Sequence, residues 1–229
     1  MIDFISSTCL VGCIILLFPL AAPAMPAISC HCFTERSYDP VRPAAADPYF
    51  LATTQNSFFA ALFNVDKKSV VMKKQLGSHA DDLWVAYWVA SKAGVSAESL
   101  LQSKQGGKGW RELLLPLRLS PHRVGSRFCS ALNSALSTAK LAEAVLDEVF
   151  LRYKLLPESE LTAVRQEGMS NQEVLLATII AARSRQSVGQ IWREARGGSK
   201  TWGAQLQAAG IEPKELQREV DNLLKLAPR

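Results

Sequence analysis

The sequence predicts an all-α protein built from a duplicated set of short helices, in two pseudo-equivalent halves joined by a helical bridge. Two observations carry this prediction. The segments SLLQSKQGGKGWRELLLPLRLSP (99–121) and QIWREARGGSKTWGAQLQAAGIEP (190–213) read alike. In addition, no segment alternates for long between apolar and polar residues as a half-buried strand does. With 48% hydrophobic and 21% charged residues, the composition is that of a globular chain.

Aligning the chain with itself at an offset of 91 residues extends the similarity to residues 56–125 and 147–217. One inserted residue near position 108 changes the offset to 92. Glycine, tryptophan and proline keep their register: Gly106 with Gly197, Trp110 with Trp202, and Pro121 with Pro213. Chance similarity of two amphipathic stretches preserves apolar spacing but not these residues. The repeat therefore predicts halves at 56–125 and 147–229 that pack together, with a helical bridge at 126–146.

Each half contains a shorter pattern twice, in which a pair of apolar residues is followed six positions later by glycine. The four copies are VVMKKQLG (70–77), LLQSKQGG (100–107), LTAVRQEG (161–168) and IWREARGG (191–198). Asp66, Ser96 and Ser187 precede three copies and suit helix N-caps, whereas Pro157 precedes the fourth and suits a first turn. The closing glycine suits the left-handed conformation that ends a helix. Each copy thus predicts a short helix of about ten residues.

Longer amphipathic helices are predicted between the short ones. Residues 81–94 (DDLWVAYWVASKAG) place Trp84 and Trp88 four apart on one stripe, and residues 171–184 are their counterpart. Residues 28–55 differ, because Asp-Pro pairs and further prolines indicate an extended arm that lies along the helical body. The whole chain is expected to form about ten to twelve helices.

The N-terminal segment 1–27 is predicted to be a signal peptide or an N-terminal membrane anchor. No charged residue occurs between Asp3 and Glu35, and residues 9–20 (CLVGCIILLFPL) are almost entirely apolar. Ala22-Pro23-Ala24 follows as a cleavage signal. Both interpretations predict an exported protein, either periplasmic or attached to the membrane through its N-terminus. The remaining interpretation is a buried core helix.

The cysteines leave several arrangements open, because three of them follow the apolar leader: Cys30, Cys32 and Cys129. The segment before Cys30 loosely resembles a bacterial lipoprotein box. In one arrangement, therefore, Cys30 is lipidated and Cys32 forms a disulfide with Cys129. A Cys30–Cys32 bridge with Cys129 as a buried thiol is another. In the third, Cys30, His31 and Cys32 bind a soft metal ion, with His79 or His122 completing the ligand shell.

No signature of a serine hydrolase, zinc protease or nucleotide-binding loop occurs in the sequence. We therefore expect a non-enzymatic binding or scaffold module whose partner is an unknown protein or small ligand. The groove between the two halves is the predicted site. The residues expected to line it are some of the five tryptophans: Trp84, Trp88, Trp110, Trp192 and Trp202.

Two alternatives belong to other functional classes. Residues 206–220 resemble a helix-turn-helix, and residues 114–124 are their repeat partner, so the chain could bind nucleic acid with two such units. However, Arg118 stands where Gly210 marks the turn, which argues against a shared tight turn. The net charge of +5 is spread along the chain, and with the leader it makes nucleic acid the less favoured partner. The second alternative is a small metal or redox protein that uses Cys30, His31 and Cys32.

Overall fold

The computed structural model describes residues 33–226, and every regular element in that range is helical. The predicted all-α class is therefore confirmed. Thirteen α-helices and two short 3₁₀ helices lie in this range, slightly more than the sequence indicated. The leader at 1–27 and the Cys30-His31-Cys32 group both lie outside the described residues.

The helices fall into two successive series. The first series comprises α1 (Asp47–Phe63), α2 (Lys67–Gln75), α3 (Ala80–Ala93), α4 (Ala97–Gln105), α5 (Trp110–Leu114), α6 (Pro121–Val124) and α7 (Ser126–Asn133). The second comprises α8 (Thr138–Arg152), α9 (Glu158–Gln166), α10 (Asn171–Arg183), α11 (Val188–Arg196), α12 (Trp202–Ala208) and α13 (Leu216–Leu226). The 3₁₀ helices are Leu115–Leu117 and Pro213–Glu215.

Equivalent helices of the two series begin at a constant spacing. The starts of α2, α3 and α4 precede those of α9, α10 and α11 by 91 residues, and α5 precedes α12 by 92. The same spacing of 91 separates α1 from α8, so the predicted bridge at 126–146 contains α7 and part of the counterpart of α1. This spacing is what duplication of one helical segment predicts, and superposition of the two series stays a prediction.

The arm predicted at 28–55 is shorter than expected, because α1 begins at Asp47. Pro48 occupies the first turn of that helix, where the missing amide hydrogen costs nothing, so the Asp47-Pro48 pair starts a helix and not an extended turn. Residues 33–46 contain no helix. They nevertheless contact the helical body, since Ala46 is buried in the core and Tyr38 packs against it.

The helix ends follow the sequence signals closely. Asp66, Ser96 and Ser187 are N-caps whose side chains accept hydrogen bonds from backbone amides three residues on, and Pro157 immediately precedes α9. The closing glycines have positive φ in all four copies: 95° at Gly77, 92° at Gly107, 92° at Gly168 and 71° at Gly198. The predicted N-caps and left-handed terminators are therefore confirmed.

The two series interlock. The first helix of each series packs mainly on helices of the other series: α1 lies against α10 and α13, and α8 lies against α3 and α7. Phe58 of α1 and Phe150 of α8 stack with ring centroids 6.3 Å apart, and Phe58 also contacts Trp84 of α3. One continuous apolar core results. Between residues 33 and 226, no helix is long and apolar enough to cross a membrane.

Candidate functional site

The five tryptophans predicted to line a groove are core residues. None is more than 6% exposed: Trp84, Trp88, Trp110, Trp192 and Trp202. Large rings lose the most water-exposed apolar area on burial, which favours interior positions for them. A groove lined by all five together is therefore not formed, although Trp88 and Trp110 each border a separate surface hollow.

The strongest candidate site is a cleft at the junction of the two series, which we call the junction cleft. It consists of two adjoining hollows of about 620 and 560 Å³ that share Leu62, Asn64 and Tyr153. The first continues toward α13, with Leu224 on its wall, and the second toward α3. The sequence predicted a site between the two halves but not these walls, which come from five helices that are far apart along the chain: α1, α3, α4, α8 and α13.

Helix ends build the junction cleft. Asn64 ends α1 in a left-handed conformation with φ of 52°, and its amide donates to the carbonyl of Ala60. Arg152 lies in the last turn of α8, and Lys92 lies in the last turn of α3. The C-terminal ends of three helices therefore converge here. Their partial negative charges attract cations, which explains in part why basic side chains gather in the cleft.

Two cations share one tryptophan in the junction cleft. The Nζ of Lys92 lies 4.8 Å from the centroid of the Trp88 ring, and the Cζ of Arg152 lies 5.3 Å from it. The Trp88 Nε1 donates to the carbonyl of Val124 at 3.0 Å, which fixes the ring. The Arg152 Nη2 donates to the carbonyl of Arg123 at 3.0 Å, which holds the guanidinium. Both cations are thus positioned without an ion pair.

Among the described residues, Lys92 and Arg152 have no ion-pair partner, although two carboxylates, those of Asp221 and Glu98, line the junction cleft. Burial, followed by the charge of Arg152, lowers the pKa of Lys92. No described carboxylate forms an ion pair with either cation. Glu98 is bound by Lys73 at 3.3 Å and by the Tyr87 hydroxyl at 3.2 Å. Asp221 lines the larger hollow together with Lys225, and its Oδ1 accepts from the Gln217 Nε2 at 3.1 Å. The arrangement suits an anion that binds Lys92 and Arg152 together.

A second polar feature, the buried stretch 53–57 (TTQNS) of α1, is a structural network. The Lys67 Nζ donates to the hydroxyls of Thr53 and Ser57, each at 2.8 Å. The Lys74 Nζ donates to Asn56 Oδ1 at 2.6 Å. Burial lowers the pKa of Lys67 and lowers that of Lys74 to about 8. The stretch faces α2 and α10, so these bonds satisfy polar groups inside the interface.

The helix-turn-helix-like units share their turn after all. Gly210 has φ of 67° and Arg118 has φ of 46°, so both occupy the left-handed region, and the expectation that Arg118 breaks the likeness is wrong. The second helices nevertheless differ from a DNA-reading helix. In the first unit it is α6, which has four residues. In the second, Arg218 pairs with Glu215 at 2.7 Å and with Glu219 at 3.7 Å, which neutralises its charge.

The cysteine and histidine predictions are only partly covered by residues 33–226. Cys129 is a free, buried thiol whose Sγ lies 3.8 Å from the carbonyl oxygen of Leu119. Its proposed disulfide partner Cys32 lies outside the described residues, as do Cys30 and His31. His79 and His122 are exposed at helix starts. In the described part of the chain, no three histidine, cysteine or acidic residues are grouped so as to hold a metal ion.

Comparison with known proteins does not assign the chain to a family. No protein-family model matches it, and no curated protein or solved structure shows a significant match. Proposals about function therefore depend on the geometry and charge of the junction cleft.

Proposed function

We propose that this protein is an exported, non-enzymatic helical module that binds a small ligand in the junction cleft. The observation that supports this proposal is the pair of adjoining hollows, about 620 and 560 Å³, at the junction of the two series. Ligand sites commonly have volumes of about 300–1,000 Å³ and combine apolar walls with a few polar groups. Leu62 and Leu224 supply apolar wall, whereas Lys92 and Arg152 supply charge.

The cleft side chains suit binding better than catalysis. Lys92 and Arg152 are both held against the Trp88 ring, and the Glu98 carboxylate is occupied by Lys73 and Tyr87. Burial and the neighbouring Glu98 charge raise the pKa of Tyr87 to about 12, so its hydroxyl stays protonated near neutral pH. Fixed cations and a neutral hydroxyl favour recognition of an anionic or polar ligand group.

Calorimetric titration with a panel of decyl-chain probes tests ligand binding. The panel consists of decyl phosphate, decanoate and decyl maltoside, each below its critical micelle concentration. We expect at least one probe to bind and Ala61→Trp to abolish binding, because Ala61 lines the larger hollow. Ala139→Trp, on the exposed surface of α8, is the matched control and should bind as the parent does. If no probe binds the parent protein, the proposal fails.

Export is proposed from the leader at 1–27. Cell fractionation with N-terminal sequencing of the mature chain tests it: we expect the protein outside the cytoplasm, either beginning shortly after residue 24 or retained at the membrane with its leader. A full-length protein in the cytosol would contradict this part of the proposal without affecting the cleft.

The metal or redox alternative depends on Cys30, His31 and Cys32. Metal analysis of purified protein, with and without Cys32→Ser, tests this alternative directly. A stoichiometric metal ion that the substitution removes would favour it over the cleft proposal, because two thiolates are ligands for soft metals. The nucleic-acid alternative has less support, since Arg218 of α13 is paired with Glu215 and Glu219.

A further inference from the structure

We infer that the junction cleft takes an amphiphilic anion, a phosphate or carboxylate attached to an apolar body, and that Lys92 and Arg152 bind the anionic group. This inference rests on the proposed function, because it names the chemical class of ligand for the same cleft. It follows from an internal comparison of the two series, from the charge of the cleft and from its apolar walls.

The second series provides an internal reference for the cleft. Lys92 of α3 corresponds to Arg183 of α10, 91 residues later, and Arg152 of α8 corresponds to Ala61 of α1. Arg183 lies 4.0 Å from a carboxylate oxygen of Glu219, whose side chain is only 7% exposed. The second-series cation Arg183 therefore has a buried carboxylate as its partner. The first-series position has two cations, and no described carboxylate pairs with them.

Lys92 and Arg152 are neighbouring cations, and neither forms an ion pair with the carboxylates of Asp221 or Glu98 that line the cleft, which favours an external anion. Lys92 and Arg152 lie over the same ring and repel each other, which is one reason why the pKa of Lys92 is lowered. An anion between them relieves this repulsion and accepts charge-assisted hydrogen bonds. Arg152 uses one N–H for the carbonyl of Arg123, and a guanidinium carries five N–H donors, so several can serve a ligand.

The remaining walls indicate that the ligand also has an apolar part. Ala61, Leu62 and Leu224 line the larger hollow beside Arg152. Ala90 and Val95 line the smaller one beside Lys92. A free inorganic ion would leave these walls exposed to water, whereas an attached hydrocarbon body would cover them. The phosphate or carboxylate can belong to a lipid or to a soluble metabolite, and the shared chemistry is an anion with an apolar body.

The two cations also have a structural interpretation, because each lies in the last turn of a helix and complements its dipole. A purely structural role predicts that their removal lowers stability and leaves binding selectivity unchanged. The inferred binding role predicts that their removal changes the ranking of ligands by charge. The relative affinities of probes that share one hydrocarbon chain but differ in charge therefore distinguish the two roles.

The test compares decyl phosphate, decanoate and decyl maltoside by calorimetric titration in the parent and in Lys92→Gln/Arg152→Gln. Decyl phosphate and decanoate should bind the parent at least about tenfold more tightly than decyl maltoside, and the double variant should lose this preference. Inorganic phosphate alone should bind weakly. Lys108→Gln/Arg185→Gln, two exposed cations outside the cleft, is the matched control and should keep the preference. The phosphate and carboxylate arms show which anionic group the cleft prefers.

Each outcome has a distinct consequence. Equal binding of charged and neutral probes by the parent would overturn the inference and leave the proposed function standing, whereas binding of no probe would end both. A preference for anions that persists in the folded double variant would assign the cations a structural role and overturn the inference. Circular dichroism melting monitors folding of every variant. If the double variant does not fold, Lys92→Gln and Arg152→Gln are measured singly, and each should reduce the preference.

Discussion

The Nζ of Lys74 lies 2.6 Å from the Oδ1 of Asn56, and the residues 91 positions later stand in the same relation. There the Nε of Arg165 lies 2.9 Å from the Oδ1 of Asp147. In both cases a cation on the second helix of a series binds a buried polar residue on the first. The amide in one series and the carboxylate in the other give the two positions different electrostatics, although the geometry recurs.

Substitution of Asp147 by asparagine should destabilise the protein strongly. The side chains of Asp147 and Arg165 are each 8% exposed, so the substitution leaves a buried guanidinium without its charge partner. Breaking a buried ion pair in this way costs about 3–5 kcal/mol. Urea denaturation measures the loss. Glu143→Gln, which removes the surface pair with Lys140, should cost less than about 1 kcal/mol, and an equal loss in both variants would contradict the prediction.

The stability of the protein should rise with pH between about 8 and 9.5 because of Lys74. Its folded-state pKa is about 8, below the ordinary value of 10.5, so the unfolded chain binds more protons in this window. Lys74→Met should flatten the rise. Denaturant unfolding at pH 7.5, 8.5 and 9.5 measures it. Data above pH 10 are avoided because Tyr87, with its pKa raised to about 12, acts in the opposite direction there. If the free energy of unfolding rose equally with pH in the parent and in Lys74→Met, the rise would not be due to Lys74.

Asp47 should act as a long-range cap for α12. Its carboxylate oxygens accept from the backbone amides of Trp202 at 3.1 Å and Gly203 at 2.9 Å. Asp47→Ala leaves these two amides without a partner and should cost about 1–2 kcal/mol. Hydrogen exchange should show faster exchange at both amides, while amides in the middle of α8 stay protected. Unchanged protection at Trp202 and Gly203 would show that the cap is dispensable.

Gly125→Ala should be much more harmful than Gly77→Ala. Both glycines have positive φ, 97° and 95°. Gly125 also has ψ of 148°, in a region that is almost exclusive to glycine, so backbone strain adds to the cost of alanine there. A Cβ at Gly125 would collide with the Glu148 side chain, whereas a Cβ at Gly77 would meet open space. The Glu148 carboxylate also binds the amide of Arg127 at 2.7 Å, which the collision would displace. Thermal unfolding should give the larger decrease in Tm for Gly125→Ala, and similar decreases would exclude crowding.

The helix ends could be predicted from sequence because their signals are local. Ser96 and Gly107 act within one turn of the backbone, where the conformational preference of a single residue decides whether a helix begins or ends. The start of α1 was missed because an Asp-Pro pair fits both an extended turn and a first helical turn. The left-handed Arg118 was missed because few non-glycine residues adopt positive φ.

The residues that line the junction cleft could not be predicted from sequence, apart from Trp88. Lys92 and Arg152 come together because α3 packs on α8, and periodicity does not specify which helices pack together. For the same reason, sequence does not specify which tryptophans border a cleft: a stripe that contains Trp84 and Trp88 looks alike whether it faces a partner helix or a ligand. Local patterns identify a buried face, and the identity of its neighbour depends on the tertiary arrangement.

The exchange of first helices between the two series has a consequence for assembly. The link between α7 and α8, residues 134–137, is exposed throughout, yet α1 and α8 each pack mainly on helices from beyond that link. Cleavage in the link should therefore yield two fragments that hold each other in a stable heterodimer, whereas either fragment produced alone should lack a docking surface for its first helix. A duplicated origin, in turn, predicts a single-series ancestor that met the same need by pairing with a second copy of itself.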